Sequence, residues 1–96
     1  MSPLKRKKLS KIRSELDKLD STLMLIIKKR TNLVKKVLKL KDKKNQIVDE
    51  KRIKKILQNI RKKSLKNKID PKITNRIWKN MIYAYIDFER RNFKKK

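Results

Sequence analysis

The first 41 residues carry apolar side chains at the spacing of one helix face. The steps between them alternate three and four, and the series resumes in the same phase after position 30. No Pro or Gly interrupts residues 4–41. Because residues three and four apart share a helix face, this pattern predicts one continuous first helix over about 4–41. We call its apolar face the apolar stripe: Leu9, Ile12, Leu16, Leu19, Leu23, Ile26, Leu33, Val37 and Leu40.

That helix is too long for a single compact chain of this size. A helix of about 38 residues extends over about 57 Å, since each residue adds about 1.5 Å. A compact domain of this length has a radius of gyration of only about 12–13 Å. We therefore expect a partner chain to bury the apolar stripe, and hence an oligomer.

Two shorter helices are predicted after a polar loop at 42–48. Asp49 is a plausible N-cap for a second helix over about 50–65, which has an apolar face. Asp70 followed by Pro71 is typical of a helix start and predicts a third helix over about 71–93. No strand pattern is present. The prediction is an all-α, three-helix protomer that forms one domain over 1–96. Apolar residues of the second and third helices are Ile53, Ile56, Leu57, Ile60, Ile73, Ile77, Trp78, Met81, Ile82, Tyr85 and Ile86.

Composition removes most kinds of enzyme chemistry. The 96 residues include 33 Lys and Arg against 9 Asp and Glu, a net charge of +24, and no Cys, His or Gly. Thiol and imidazole nucleophiles, the usual zinc sites and glycine-rich nucleotide loops are therefore excluded. We expect no metal and no cofactor. The functions that the composition does not exclude are catalysis by fixed charges and binding of a ligand without catalysis.

Membrane association is not expected. The longest apolar run is Leu23–Ile27, five residues, whereas a spanning helix needs about 20. The basic N-terminus is followed by no apolar signal-peptide segment. We expect a cytoplasmic protein.

Charged residues lie on faces that should be apolar. Arg30 occupies the position in the apolar stripe between Ile26 and Leu33, and Lys41 returns to within about 20° of the Arg30 direction at ~100° per residue. Glu89 follows Tyr85 by one turn on the apolar face of the third helix. A buried charge needs a partner, because an isolated one is strongly destabilising.

These cations outnumber the acidic residues that could pair with them. One Arg and one Glu on facing helices would simply fix helix register. Here four cations stand against three acids that are plausibly close, Asp20, Asp49 and Glu89. The surplus favours a small, multiply anionic ligand between the helices, the usual location of sites in helical bundles. The four cations are Arg13, Arg30, Lys41 and Arg52.

The spacing of these residues resembles that of the all-α (AroQ-type) chorismate mutases. Arg13, Asp20, Arg30 and Lys41 fit the frame R-x6-D-x9-R-x10-K, and the resemblance extends from about Leu9 to Phe93. It also includes the following residues: Asp49, Arg52, Ile69, Asp70, Pro71, Trp78, Met81, Ile82 and Glu89.

The resemblance implies an isomerase that rearranges chorismate to prephenate, in the shikimate pathway towards phenylalanine and tyrosine. It implies three-helix protomers intertwined into a helical homodimer. In this dimer Arg13 reaches the site of the partner chain and binds a substrate carboxylate, while Arg30 binds the other carboxylate. Lys41 and Glu89 would donate hydrogen bonds to the ether oxygen. Asp49 and Arg52 would hold the region around the ring hydroxyl. A pericyclic rearrangement needs no nucleophile, metal or general base, which suits this composition.

Two positions depart from the mutase pattern and keep an alternative open. Ile53 stands where many members have Glu, and Tyr85 stands where a small polar residue is expected. Both resemble the related isochorismate-pyruvate lyases, which share the fold and would form salicylate. Those lyases have Gln where this chain has Glu89, which favours the mutase.

Two non-enzymatic interpretations also remain. The net charge of +24 would give non-specific affinity for nucleic acid. However, Lys occurs on every helix face and no nucleic-acid-binding motif is present, so we expect no specific nucleic-acid partner. A simple coiled-coil interaction module would not require Arg30, Lys41 and Glu89 on apolar faces.

Overall fold

A computed structural model describes residues 1–95 and shows three α-helices joined by short connections. Helix α1 is Pro3–Leu40, α2 is Glu50–Lys66 and α3 is Pro71–Asn92, and a 3₁₀ helix covers Lys44–Gln46. No strand occurs in the described residues. The predicted all-α, three-helix protomer with a very long first helix is confirmed, with helix ends at or within one residue of those predicted.

The chain divides into two compact units, residues 1–33 and 34–96. The first unit is the N-terminal part of α1. The second unit contains the end of α1, the 3₁₀ helix, α2 and α3. The interpretation of 1–96 as one domain stays a prediction.

Helix α1 begins at a capped end and leaves its apolar side chains exposed. The Ser2 Oγ accepts a hydrogen bond from the backbone N–H of Lys5 at 3.2 Å, and Pro3 fills the first helical position, where no N–H donor is required. No residue of α1 is buried. In the apolar stripe, Leu19 is 65% and Leu23 is 52% exposed. Among the residues that the structure describes, none of the helices combines the length and the apolar composition of a membrane-spanning segment.

Helices α2 and α3 form a hairpin whose ends are held by local hydrogen bonds. The predicted caps are confirmed: Asp49 accepts from the backbone N–H of Arg52, and Asp70 from that of Lys72. The turn between the helices has the hydrogen bonds of a Schellman motif, in which the N–H of Ile69 donates to the Ser64 carbonyl at 2.9 Å. Lys68 takes the left-handed conformation at φ 57° in a position where Gly is usual.

The α2–α3 hairpin buries both apolar and polar side chains. Ile82 is 8% exposed, and the hydroxyl groups of Ser64 and Thr74 lie 2.6 Å apart at 3% and 9% exposure. The Ser64 hydroxyl also donates to the carbonyl of Ile60. Because both buried hydroxyls have hydrogen-bond partners, they fix the pairing of the two helices without leaving an unsatisfied polar group. The predicted apolar face of α2 is half-buried: Ile53, Ile56, Leu57 and Ile60.

The connection between α1 and α2 is more ordered than a simple polar loop. It was expected at 42–48, and it contains the 3₁₀ helix Lys44–Gln46 followed by Ile47. Ile47 is 4% exposed, the lowest exposure among the buried apolar residues of the described chain. A buried apolar side chain anchors this connection in the second compact unit.

Candidate active site

The central contact of the candidate site is an ion pair between the end of α1 and α3. Lys41 follows directly after α1, and its Nζ lies 2.9 Å from Oε2 of Glu89. The two side chains are 18% and 9% exposed. Two opposite charges on apolar faces, predicted from the sequence to need partners, are therefore partners of each other in this structure. A charge-assisted hydrogen bond of this length, away from water, fixes the position of both groups.

Lys41 has a second acceptor that the sequence did not indicate. Its Nζ donates to the backbone carbonyl of Ile47 at 3.3 Å. An ammonium group carries three N–H donors. In the part of the chain that the structure describes, Glu89 and Ile47 accept two of them, so the third can donate to an oxygen of a ligand.

Sequence reasoning missed Ile47 because it treated 42–48 as a polar loop. The residue acts through its carbonyl oxygen, which every residue type possesses, so side-chain chemistry gives no signal. One sequence feature could have drawn attention to the segment. Ile47 and Val48 are two adjacent apolar residues within an otherwise polar loop, and a buried apolar residue commonly fixes the path of its backbone.

The start of α2 carries three further predicted site residues. Oδ1 of Asp49 accepts from the backbone N–H of Arg52 at 3.0 Å, so this carboxylate caps the helix. The side chains of Asp49 and Arg52 are exposed, whereas Ile53 is half-buried. Tyr85, on α3 one turn before Glu89, is also half-buried. Lys41 and Glu89 are predicted site residues whose side chains are in direct contact.

The remaining two predicted site residues belong to the first compact unit. Arg13 is exposed on α1, and Arg30 is half-buried on the same helix. Both side chains end in a guanidinium group, which can bind the two oxygens of a carboxylate in a planar, bidentate arrangement. Their expected roles stay predictions.

The arrangement of Lys41 and Glu89 is suited to stabilising negative charge on an oxygen atom of a ligand. A fixed ammonium group in a partly dry environment stabilises negative charge that develops on a nearby oxygen, and it does so without reorganising during the reaction. The carboxylate of Glu89 accepts from this ammonium group and holds it in place. This chemistry serves a reaction in which a carbon–oxygen bond breaks heterolytically or with charge separation.

Comparison with known proteins agrees with the resemblance noted from the residues. The family model described as chorismate mutase type II matches residues 12–90. All eight predicted site residues lie within this match, from Arg13 to Glu89. Searches of curated proteins and of solved structures found no match. The match covers most of the chain, and the chain belongs to the type II chorismate mutase family.

Proposed function

We propose that this protein catalyses the rearrangement of chorismate to prephenate, the step towards phenylalanine and tyrosine. In this pericyclic reaction the ether C–O bond breaks while a new C–C bond forms within the same molecule, and no proton is transferred. The observation that carries the proposal is the contact of 2.9 Å between Lys41 Nζ and Glu89 Oε2, within the segment that matches the family model.

Lys41 is the proposed principal catalytic residue. Its third N–H donates to the ether oxygen, which becomes more negative as the C–O bond lengthens. This hydrogen bond is therefore stronger in the transition state than in the bound substrate, which is the condition for raising kcat. The hydrogen bonds to Glu89 and Ile47 hold the flexible lysine side chain before the substrate arrives.

Glu89 is the proposed second donor to the ether oxygen. Its carboxylate accepts from Lys41 in the absence of substrate, and a carboxylate cannot donate. Donation from Glu89 to the ether oxygen therefore requires the protonated carboxyl group.

Substrate binding is assigned to residues on α1, α2 and α3. The guanidinium groups of Arg30 and Arg13 bind the two carboxylates of chorismate, with Arg30 also contributing to catalysis by fixing the reactive conformation. The remaining substrate-binding residues proposed are Asp49 and Arg52, which hold the region around the ring hydroxyl, and the two positions that depart from the mutase pattern, Ile53 and Tyr85.

The functional unit is proposed to be a homodimer in which Arg13 serves the site of the partner chain. Support comes from the exposed apolar stripe of α1, where Ile12, Leu16 and Leu19 are 54%, 52% and 65% exposed. A second copy of the chain offers the same stripe, so the interface would be self-complementary, as in most two-fold symmetric dimers.

The test of activity is product identification with two substrates. Purified protein is incubated with chorismate and, separately, with isochorismate, and the products are identified by mass spectrometry. We expect prephenate from chorismate, and its formation should be abolished in Arg30→Ala but not in Arg76→Ala, which removes an exposed cation from α3. Pyruvate and salicylate from isochorismate, with chorismate unchanged, would instead make the protein a lyase and identify Ile53 and Tyr85 as the decisive residues. If neither compound reacts, the proposal is wrong.

Mixing two inactive variants tests the shared site. A heterodimer of Arg13→Ala and Arg30→Ala contains one site with both substitutions and one intact site if Arg13 crosses to the partner. Random exchange of subunits should then restore about a quarter of the wild-type activity. If Arg13 acts in its own chain, each site of the heterodimer lacks one arginine and no activity returns. Refolding of each variant alone is the control.

A further inference from the structure

In the connection between α1 and α2, the side chain of Gln46 accepts hydrogen bonds from the backbone of the same loop. Oε1 of Gln46 accepts hydrogen bonds from two consecutive backbone N–H groups, those of Asp42 at 2.8 Å and Lys43 at 2.9 Å. The backbone N–H of Gln46 donates in turn to the Lys43 carbonyl at 3.0 Å. One amide side chain therefore fixes both ends of a five-residue segment.

This segment supplies the second acceptor of Lys41. Ile47 follows Gln46 directly, is 4% exposed, and its carbonyl accepts from Lys41 Nζ at 3.3 Å. Lys41, whose ammonium group is held, therefore begins this short loop. Ile47, whose carbonyl holds that group, ends the loop. Gln46 sets the path of that loop, and the buried Ile47 side chain anchors its end.

We propose that Gln46 is a positioning residue that acts on Lys41 through the Ile47 carbonyl. Lysine has a long side chain with freely rotating bonds, so Glu89 alone leaves its ammonium free to pivot about a single contact. The Ile47 carbonyl supplies a second contact and directs the remaining N–H. Without the Gln46 amide oxygen, two backbone donors lose their acceptor and the loop no longer holds that carbonyl in place. The consequence for catalysis rests on the proposed function.

The decisive comparison is Gln46→Ala against Gln46→Glu. Alanine removes the acceptor, whereas glutamate keeps an oxygen at the same distance from the backbone and can accept from both N–H groups. Asn45→Ala is the matched control, because Asn45 is an exposed amide residue in the same 3₁₀ helix. Thermal unfolding of each variant separates loss of positioning from loss of folding.

Two readouts are needed, one of them independent of activity. The first is the ¹⁵Nζ–¹H resonance of Lys41, assigned by its loss in Lys41→Arg, which reports directly on the hydrogen bonding of the ammonium. The second is kcat and KM with chorismate. Gln46→Ala should shift or broaden the Lys41 resonance and lower kcat about tenfold or more with a smaller change in KM, as expected for misplacement of a catalytic group. Gln46→Glu and Asn45→Ala should resemble the wild type in both.

The two readouts keep failure of this inference apart from failure of the proposed function. If the Lys41 resonance in folded Gln46→Ala is unchanged, Gln46 does not position Lys41 and the inference is wrong. A shifted resonance with unchanged kcat also overturns it, since the positioning then has no catalytic effect. If the wild type does not react with chorismate, the proposed function is wrong, and the resonance alone decides whether Gln46 holds Lys41.

Discussion

The N-terminal unit and the α2–α3 hairpin use their apolar side chains in opposite ways. In residues 1–33 the apolar stripe follows one helix face for several turns, and most of its side chains are exposed, with Ile26 at 55%. In the hairpin the pattern is shorter and interrupted by polar residues, yet Ile82, Ser64 and Thr74 are buried. The region with the more regular apolar pattern is the one that the chain itself leaves uncovered.

This difference indicates how the two regions obtain their stability. The hairpin encloses a small core between two helices and holds it with a buried pair of hydroxyl groups. Part of its apolar surface stays outside this core, since Ile73 and Ile77 of α3 are 56% and 49% exposed. The apolar stripe has a helix pattern sustained over more than four heptads, as in coiled coils, and such patterns are stabilised by association with another helix. Folding of the hairpin should therefore depend on its own contacts, and that of residues 1–33 on a partner.

The largest effect is expected from a charge in the apolar stripe. Leu23→Glu places a carboxylate in the proposed dimer interface twice, once from each chain, where burial of each leucine contributes about 1.5–3 kcal/mol. We expect loss of the dimer in sedimentation equilibrium and loss of chorismate turnover. Asn32→Glu adds the same charge on the opposite face of α1 and should leave both unchanged. A dimer that persists in Leu23→Glu would show that the stripe is not the interface.

A smaller effect is expected from a cavity in the hairpin. Ile82→Ala removes a buried side chain and should lower the free energy of unfolding by about 2–4 kcal/mol. Ile73→Ala makes the same change at a residue of α3 that is 56% exposed, and it should cost well under half as much. Urea unfolding followed by circular dichroism measures both. Equal losses would mean that Ile73 is covered by a partner chain and that the core around Ile82 is not what stabilises the hairpin.

The smallest effect is expected from the buried hydroxyl pair. Ser64→Ala removes the 2.6 Å contact with Thr74 and should lower the free energy of unfolding by about 1 kcal/mol, the usual contribution of one intramolecular hydrogen bond. Thr74 keeps a contact with the Pro71 carbonyl, which limits the loss. Ser14→Ala, on the exposed surface of α1, is the control. No destabilisation in Ser64→Ala would show that the hydroxyl pair does not hold the hairpin.

Much of the fold could be predicted because it depends on local patterns. The three- and four-residue steps identified α1, and the sequence Asp70–Pro71 identified the start of α3, because capping and helix periodicity act over neighbouring residues. Lys41 and Glu89 were identified as site residues since each places a charge on an apolar face. Their direct contact was not predicted, because the surplus of cations favoured an anionic ligand as the partner of these charges.

The remaining features depend on the path of the backbone in three dimensions. The Ile47 carbonyl and the Gln46 amide act through the shape of the loop, and neither residue type signals a catalytic role. Ser64 and Thr74 look like ordinary surface residues in the sequence, and their burial results from the packing of α2 on α3. Lys68 adopts a left-handed conformation. A glycine at this position would have indicated such a conformation from the sequence, whereas a lysine does not.

The most direct test of the account is the turnover of chorismate by Lys41→Ala and Glu89→Gln beside the wild type. If Lys41 stabilises charge on the ether oxygen, Lys41→Ala should keep the helical circular dichroism spectrum and lower kcat by about 100- to 1000-fold, the usual effect of removing one such donor. Glu89→Gln replaces the carboxylate with an amide that can donate to the ether oxygen, so this variant should retain turnover of chorismate. Wild-type kcat in folded Lys41→Ala would contradict the account.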